Sequence, residues 1–435
     1  MKWYYQKHAF TIALAFIAAA NGLLFLYVME KASIRVPVYD LLDWLQFYGE
    51  RFQAGDLFGY LWTPHNEHRI VLSRILVALD VRWFAASGGA FVLFGLFLLL
   101  AMVAAVCREI LKSDLSISWK LTATPIAILL MTPAHTVVMV GMQAMGLFLQ
   151  TCSFAVCALV LLDGAAEQDH FSNYRRAAAL IAACLAAFGV SGGLLIWPVL
   201  MWLAWRGDLG WRWIAGIACV GGLFIAVYLW KLPSPPVSTS LTFGHAVRSL
   251  DYAIRLLGLP WSHKPEFVWP ARVIGLSILC LGGFALVRDN FWSRCRTRLQ
   301  RLGLAFILFS LLLAAAAALA RADVAVDRAM PIRYGMFAVL AHVGLLLWSL
   351  PFLEQLWHGA HRRAFQSAIL AISIAWFGQQ VVVGRLAIDE ADRYRDAWSR
   401  FVAGHWTPDM LHYVYPDRDR ARASLTYLRQ MGLYR

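Results

Sequence analysis

The sequence predicts an all-α polytopic membrane protein with about eleven transmembrane helices, amphipathic surface helices in the first outer loop and a small outer C-terminal segment. Hydrophobic residues make up 60% of the 435 residues and charged residues only 15%, whereas soluble domains have roughly 45–50% and about 25%. This composition excludes an ordinary soluble enzyme and a disordered chain. The formal net charge of +13 fits basic cytoplasmic loops and membrane lipids as partners, so no nucleic acid is expected.

Eight apolar stretches are long enough to cross a bilayer, which takes about 20 helical residues. They begin near Ala9, Gly88, Phe148, Ile214, Ala271, Leu302, Met336 and Phe365. Three shorter apolar runs are interpreted as further spans: Leu121–Met131, Ala177–Val190 and Leu194–Trp205. The last two are predicted to form a tight pair, because only Ser191-Gly192-Gly193 separates them.

The distribution of lysine and arginine sets the predicted orientation, because cytoplasmic loops carry the excess of these residues. With eleven spans, the arginine-rich loops fall on the same side as Lys2 and Lys7, which places the N-terminus in the cytoplasm. The transmembrane domain then covers residues 1–384, with outer segments at 30–86, 231–270 and 321–335. An outer C-terminal segment follows at 385–435.

The first outer segment contains the richest mixture of apolar and ionisable residues. Leu41, Leu45, Tyr48 and Phe52 recur at helical spacing opposite a polar stripe. This pattern predicts an amphipathic helix that lies at the membrane surface, since it is too polar to cross. A second surface helix is predicted to begin near Asn66, because asparagine is a favourable N-cap.

Two aspartates near the start of the first surface helix are candidates for a general base. Asp40 and Asp43 lie one turn apart, at the level where the first span meets the outer surface. A reaction between a lipid-linked substrate and a hydroxyl that arrives from outside needs a carboxylate at this level. Alternatively, Asp40 is simply the N-cap of the surface helix and Asp43 belongs to its solvated face.

A second group of ionisable residues follows, with His65, Glu67, His68 and Arg69 packed into five positions. Glu67 and His68 are candidate catalytic residues, while His65, Arg69 and Arg74 are candidate substrate ligands. The alternative is an interfacial network of salt bridges. Two histidines and a carboxylate also suit a metal ion, but adjacent positions do not aim them at one point, so no metal ligand is predicted.

Further candidate substrate ligands lie in later positions. Arg328 and Arg333 suit a lipid phosphate, because arginine offers paired donors to phosphate oxygens; alternatively, they pair with nearby aspartates or extend to the interface. His263 and Lys264 lie in a loop with tryptophans, which either stack on a sugar or belong to an interfacial aromatic belt. Gln143 on the fourth span either binds a sugar hydroxyl or joins helices.

This layout resembles the GT-C superfamily of polytopic glycosyltransferases. The shared features are a short inner N-terminus, one span, an outer segment with an early aspartate, and two surface helices, the first running to a glycine. Three segments look like a bacterial branch of such proteins: His65-Asn66-Glu67-His68-Arg69, Gly189–Pro198 and Arg333-Tyr334-Gly335. The serotype-converting O-antigen glucosyltransferases are similar in size and layout.

The resemblance implies an inverting glycosyltransferase at the periplasmic face of the bacterial inner (plasma) membrane. It implies a polyprenyl-phosphate-linked sugar as donor and a glycan or lipid-linked acceptor, with a divalent metal in some relatives. The catalytic carboxylate of such enzymes lies in the first outer loop, which by position is Asp40, with Asp43 as substitute. Tyr334 joins the candidate substrate ligands through the same resemblance. The rival interpretations are an O-antigen polymerase or ligase, and a membrane transporter or lipid flippase.

Overall fold

The structure of the protein is a computed structural model that describes residues 2–133, 144–167, 170–233, 242–262, 268–292, 297–325, 334–405, 407, 410, 413–415 and 417–433. Within these residues the chain forms helices and no sheet, and a single isolated bridge joins His65 and His68. The predicted all-α fold is therefore confirmed.

In chain order, the described helices are α1 (Lys2–Ala32), α2 (Asp40–Phe47), α3 (Leu57–Trp62), α4 (Val71–Phe84), α5 (Gly89–Lys112), α6 (Ile117–Met131), α7 (Gln150–Gly164), α8 (Ser172–Ala187), α9 (Ile196–Arg206), α10 (Trp211–Leu229), α11 (Phe243–Gly258), α12 (Val268–Val287), α13 (Arg298–Ala325), α14 (Gly335–His358), α15 (Arg362–Val402) and α16 (Arg418–Gln430). A π-helical turn, Ala144–Leu149, precedes α7, and a 3₁₀ turn, Ser191–Leu195, precedes α9.

Eight helices in the described part of the chain are long and apolar enough to cross a membrane: α1, α5, α7 with its preceding turn, α10, α12, α13, α14 and α15. They coincide with the eight long stretches predicted from the sequence. The three shorter runs form α6, α8 and α9, of 15, 16 and 11 residues. At about 1.5 Å per residue these helices are shorter than a bilayer core of roughly 30 Å, so the predicted count of eleven spans is not confirmed.

One end of the helix bundle holds a buried network of charges, which we call the basic-end network: Glu109, Asp163, Arg298 and Arg301. Arg298 Nε lies 2.9 Å from Glu109 Oε2 and 3.2 Å from Asp163 Oδ2, and Arg301 Nε lies 2.9 Å from Asp163 Oδ1. These ion pairs join the ends of α5, α7 and α13. The arginine-rich loops predicted to share one side therefore do meet at one end of the bundle.

Glycines allow α13 and α14 to cross with their backbones in contact. A Cβ atom on Gly303 would lie 2.6 Å from the carbonyl oxygen of Gly344, and a Cβ on Gly344 would lie 2.7 Å from that of Gly303. Small residues permit such close approach between membrane helices. Beyond the crossing, at the end of the bundle away from the basic-end network, lie Arg321 near the end of α13 and Tyr334 just before α14.

The first outer segment differs in part from its prediction. The first surface helix is confirmed as α2, where Leu41 and Leu45 are buried, and it continues into a π-helical turn, Tyr48–Phe52. The predicted helix start at Asn66 is wrong, because Asn66 has φ +51° in a turn and α4 begins only at Val71. The intervening helix α3 begins earlier, and its N-cap aspartate carboxylate accepts the Gly59 N–H at 2.8 Å.

The C-terminal segment packs against the first surface helix. Helix α15 runs without a break across the predicted boundary at residue 385. Helix α16 then lies against α2, where Ser424 Oγ donates to Gln46 Oε1 at 3.0 Å. Tyr427 donates to Gln53, just beyond the π-helical turn that follows α2, at 3.0 Å. Gly49 makes this contact possible, since a Cβ there would overlap the Tyr427 ring.

Candidate functional site

A tight turn carries three of the predicted catalytic and binding residues: His65, Glu67 and His68. The backbone N–H of His65 donates to the carbonyl of His68 at 2.8 Å, and the N–H of His68 donates back at 3.0 Å. This reciprocal pairing places the two histidines directly opposite each other and leaves Asn66 and Glu67 as the two loop residues. The left-handed Asn66 suits such a turn, because asparagine tolerates positive φ better than most residues.

The first carboxylate–histidine pair at this turn is Asp40 with His65. His65 Nε2 lies 3.7 Å from Asp40 Oδ2, and the His65 and Trp44 rings are nearly perpendicular with centroids 5.7 Å apart. The Asp40 side chain is 38% exposed. Tyr39 occupies the N-cap position of α2, so Asp40 is the first residue of the helix rather than its cap. The alternative in which Asp40 only caps the helix is therefore wrong.

The second pair is Glu67 with His68, and Arg321 joins it. Glu67 Oε1 lies 3.6 Å from His68 Nε2 and 3.3 Å from an Arg321 nitrogen, with the Glu67 side chain 40% exposed. The Arg321 guanidinium in turn lies 5.7 Å from the ring centroid of the buried Tyr334. We call Asp40, His65, Glu67, His68 and Arg321 the turn cluster.

Opposing influences set the pKa values of Glu67 and His68. Partial burial of Glu67 by itself raises its pKa, but the neighbouring His68 and Arg321 outweigh burial and hold the pKa below its ordinary value. Burial lowers the pKa of His68, against the opposing influence of Glu67. A carboxylate thus stays ionised beside an imidazole that burial keeps neutral, which suits proton transfer and hydrogen-bond donation near neutral pH.

Asp43 lies one turn from Asp40 but has a different environment. Its carboxylate accepts the Tyr415 hydroxyl at 2.9 Å and pairs with Arg420 Nε at 2.9 Å, and its side chain is 10% exposed. Burial raises the pKa of Asp43 more than Tyr415 and Arg420 lower it. The C-terminal segment therefore covers Asp43 and leaves Asp40 as the more accessible of the two aspartates.

Arg69 and Arg74, both predicted as substrate ligands, are buried and engaged with backbone carbonyls. The Arg69 guanidinium donates to the carbonyls of Trp62, Tyr228 and Trp230, which ties the turn to the end of α10. The Arg74 guanidinium donates to the Tyr60 carbonyl, and burial lowers the pKa of Arg74 to about 10. Their described contacts give both arginines a part in holding the surface helices.

Five predicted ligands lie outside the described residues: Gln143, His263, Lys264, Arg328 and Arg333.

The structure brings two residues to the site that the sequence did not single out as ligands. Arg321 pairs with Glu67, and Ser191 lies 3.0 Å from His68. A signal for Arg321 existed, since an arginine at the outer end of an apolar span departs from the positive-inside pattern. Ser191 belongs to the Gly189–Pro198 segment that the resemblance singled out, but no pattern assigned it a role as a ligand.

The described residues hold no group of three or more histidine, cysteine, aspartate or glutamate side chains arranged for one metal ion. Each histidine of the turn faces its own carboxylate, Asp40 or Glu67, so the two pairs stand side by side. The arrangement offers two accessible carboxylates, a neutral imidazole and a guanidinium. Those groups can accept a proton and stabilise an anion at one surface.

No protein-family model, curated protein or solved structure matches this chain.

Proposed function

We propose that the protein is a membrane glycosyltransferase that transfers a sugar from a polyprenyl-phosphate carrier to a glycan or lipid-linked acceptor. The proposed reaction takes place at the turn cluster, on the periplasmic side of a bacterial inner membrane. One observation carries the proposal: two carboxylate–histidine pairs with exposed carboxylates and an arginine lie together at the end of the apolar helix bundle away from the basic-end network. A lipid-linked donor would approach this level from the bilayer, and a hydroxyl acceptor would approach from water.

In the proposed mechanism Asp40 is the general base. Its carboxylate removes the proton from the acceptor hydroxyl, and the oxygen attacks the anomeric carbon of the sugar. The bond from that carbon to the phosphate oxygen breaks, and its electron pair leaves with the polyprenyl phosphate. Asp40 is preferred over Asp43, because Tyr415 and Arg420 already occupy the Asp43 carboxylate.

The cationic side of the cluster fits the leaving group. Arg321 is one-third exposed beside Glu67, so its guanidinium lies where an anionic phosphate can reach it. Preorganised donors stabilise charge that develops in a transition state, and they act more strongly where water is scarce. Glu67 and Tyr334 would hold Arg321 in place until the phosphate arrives.

The test is transfer by the purified full-length chain in lipid nanodiscs, supplied with a panel of polyprenyl-phosphate-linked hexoses and pentoses. Wild-type protein should release polyprenyl phosphate from at least one donor. Asp40→Asn should lower kcat by roughly 100- to 10,000-fold, the usual range for a general base. Asp43→Asn is the matched control and should keep most of the activity. Near-normal transfer by Asp40→Asn would exclude Asp40 as the base.

The proposed sidedness has a separate test. In the structure α15 starts at the end of the bundle with the basic-end network and reaches the other end, where Arg395 donates to the Lys31 carbonyl. An alkaline phosphatase reporter fused after residue 435 should therefore be active in the periplasm. A cytoplasmic reporter signal would reverse the orientation and contradict a periplasmic reaction.

A further inference from the structure

The junction between α8 and α9 is held by a side chain from α7. Thr151 Oγ1 donates to the Ala186 carbonyl at 2.9 Å and accepts the N–H of Val190 at 3.1 Å. Thr151 thereby binds both the last turn of α8 and the backbone that leads into α9. The next residue, Ser191, begins the 3₁₀ turn directly after the Val190 backbone that Thr151 holds.

Close packing around Gly189 fixes the same junction. A Cβ atom on Gly189 would lie 2.3 Å from the Leu147 carbonyl oxygen and 2.4 Å from Thr151 Oγ1. A glycine is therefore required where the junction passes α7. The Gly-Val-Ser-Gly-Gly run that separates the two short helices in the sequence thus builds a rigid support for Ser191.

Ser191 makes two contacts with a single nitrogen of His68. Its backbone N–H donates to His68 Nδ1 at 3.2 Å, and its Oγ lies 3.0 Å from the same atom. A backbone N–H can only donate, so Nδ1 must be the acceptor and carries no proton. In the neutral imidazole the proton then lies on Nε2, the nitrogen that faces Glu67 Oε1 at 3.6 Å.

We propose that Ser191 is a positioning residue of the site, which fixes the His68 imidazole with Nδ1 toward the α8–α9 junction and the Nε2–H toward substrate. The proposal rests on the proposed transfer reaction and adds a residue to it. A neutral Nε2–H beside Glu67, which also pairs with Arg321, is a hydrogen-bond donor for an oxygen of the carrier phosphate or of the sugar. A histidine free to take the other tautomer would present a bare Nε2 there and lose that donor.

Two substitutions at one position separate the two contacts. Ser191→Ala removes Oγ and keeps the backbone N–H. Ser191→Pro removes both donors, and the local backbone suits it, because Val190 has φ −129° and ψ 152°, the extended region that a residue before proline prefers. Proline is also tolerated at the first position of a helix, where the N–H is not needed by the helix itself. Ser310→Ala is the matched control, since Ser310 is a buried serine that donates to the Phe337 carbonyl.

The first measurement is the ¹⁵N NMR spectrum of histidine-labelled full-length protein in nanodiscs, with His68→Gln used to assign the His68 signals. Wild type should show an unprotonated Nδ1 and a protonated Nε2. Ser191→Ala should keep this tautomer with a shifted Nδ1 resonance. Ser191→Pro should give a mixture of tautomers, and Ser310→Ala should leave the His68 signals unchanged.

The second measurement is transfer from the polyprenyl-phosphate donor. We expect kcat to fall roughly 5- to 10-fold in Ser191→Ala and roughly 30- to 100-fold in Ser191→Pro, the loss of one and of two hydrogen bonds, with KM within about twofold. Ser191→Thr restores the hydroxyl and should recover kcat to within about twofold of wild type.

Two results would overturn the proposal: a protonated Nδ1 in the wild type, or a Ser191→Pro protein with wild-type His68 signals and wild-type kcat. The NMR measurement does not use transfer, so it decides the Ser191–His68 geometry even if no carrier-linked sugar reacts. A wild type that transfers no sugar would defeat the proposed function. The tautomer would then still show whether Ser191 positions His68.

Discussion

The basic-end network and the turn cluster use the same chemical groups in opposite ways. In the network, Asp163 and Glu109 are buried, with side chains 0% and 2% exposed, and Arg298 contacts both at 3.2 Å or less. In the turn cluster, Asp40 and Glu67 keep more than a third of their side chains exposed, and their partners lie at 3.3–3.7 Å. One region seals its carboxylates from water, and the other leaves its carboxylates exposed.

This difference separates structural carboxylates from candidate catalytic ones. Removing one partner from a buried pair leaves an uncompensated charge and costs about 3–5 kcal/mol, so the network holds the helix ends together. Exposed pairs contribute only about 0–1 kcal/mol to stability, so stability does not explain why the turn cluster gathers five ionisable groups. The turn cluster is therefore the better candidate for a catalytic site.

The largest effect is expected from a substitution in the basic-end network. Asp163→Asn removes the charge that pairs with both Arg298 and Arg301, so the free energy of unfolding should fall by about 3 kcal/mol. The midpoint of SDS-induced unfolding in mixed micelles measures this. Asp114→Asn, an exposed aspartate near the same end, is the control and should stay within about 0.5 kcal/mol of wild type.

Asp163→Asn also tests whether the basic-end network takes part in the reaction. If it does not, the folded fraction of this variant should keep a normal kcat. Asp40→Asn should show the reverse, a large loss of transfer with an unchanged unfolding midpoint. If Asp163→Asn instead kept full stability and lost transfer, the division between a structural network and a functional cluster would be wrong.

A smaller effect concerns the pH dependence of stability at the turn cluster. The pKa of His68 is lowered from 6.5 in the folded protein, so the unfolded chain binds a proton first as the pH falls. Stability should therefore decrease on acidification below about 6.5, by at most about 1.4 kcal/mol per pH unit. Burial dominates this shift, while Glu67 opposes it and Arg321 and His65 add to it.

The check compares wild type with His68→Gln by SDS unfolding between pH 7 and about 5.5, above the range in which the lowered pKa of Glu67 matters. The variant should lose less stability than wild type over this interval. His361→Gln, at an exposed histidine, should follow wild type. A wild type whose stability stays flat would mean that His68 titrates with an ordinary pKa in the folded state.

The long apolar helices were predictable, whereas the site geometry was not. Composition locates the eight helices that are long and apolar enough to span, because a bilayer demands about 20 apolar residues whatever the tertiary packing. The predicted helix start at Asn66 was wrong, because asparagine is favourable both as an N-cap and as a left-handed turn residue. Only the reciprocal His65–His68 hydrogen bonds select the left-handed turn. Local propensity cannot choose between an N-cap and a turn without those partners.

Long-range partners explain the remaining difference between sequence and site. Glu67 and Arg321 are 254 positions apart, and His68 and Ser191 are 123 apart, so no local pattern joins them. The same holds for Asp43, where the solvated-face interpretation did not foresee that Tyr415, 372 positions later, would cover its carboxylate. Residue chemistry singled out the first outer loop, and the tertiary fold decided which of its carboxylates stay exposed.

The smallest effect is expected at Asp43. This residue lies beside the turn cluster, but its carboxylate is covered like those of the basic-end network. Tyr415→Phe removes one hydrogen bond to its carboxylate, so the free energy of unfolding should fall by about 1 kcal/mol. Since that hydrogen bond lowers the pKa of Asp43, its loss should raise the pKa further. Tyr174→Phe, at an exposed tyrosine on α8, is the control for SDS unfolding. Transfer should stay within about twofold of wild type, because Asp40 remains untouched; a loss of kcat comparable to that of Asp40→Asn would move the catalytic carboxylate to Asp43.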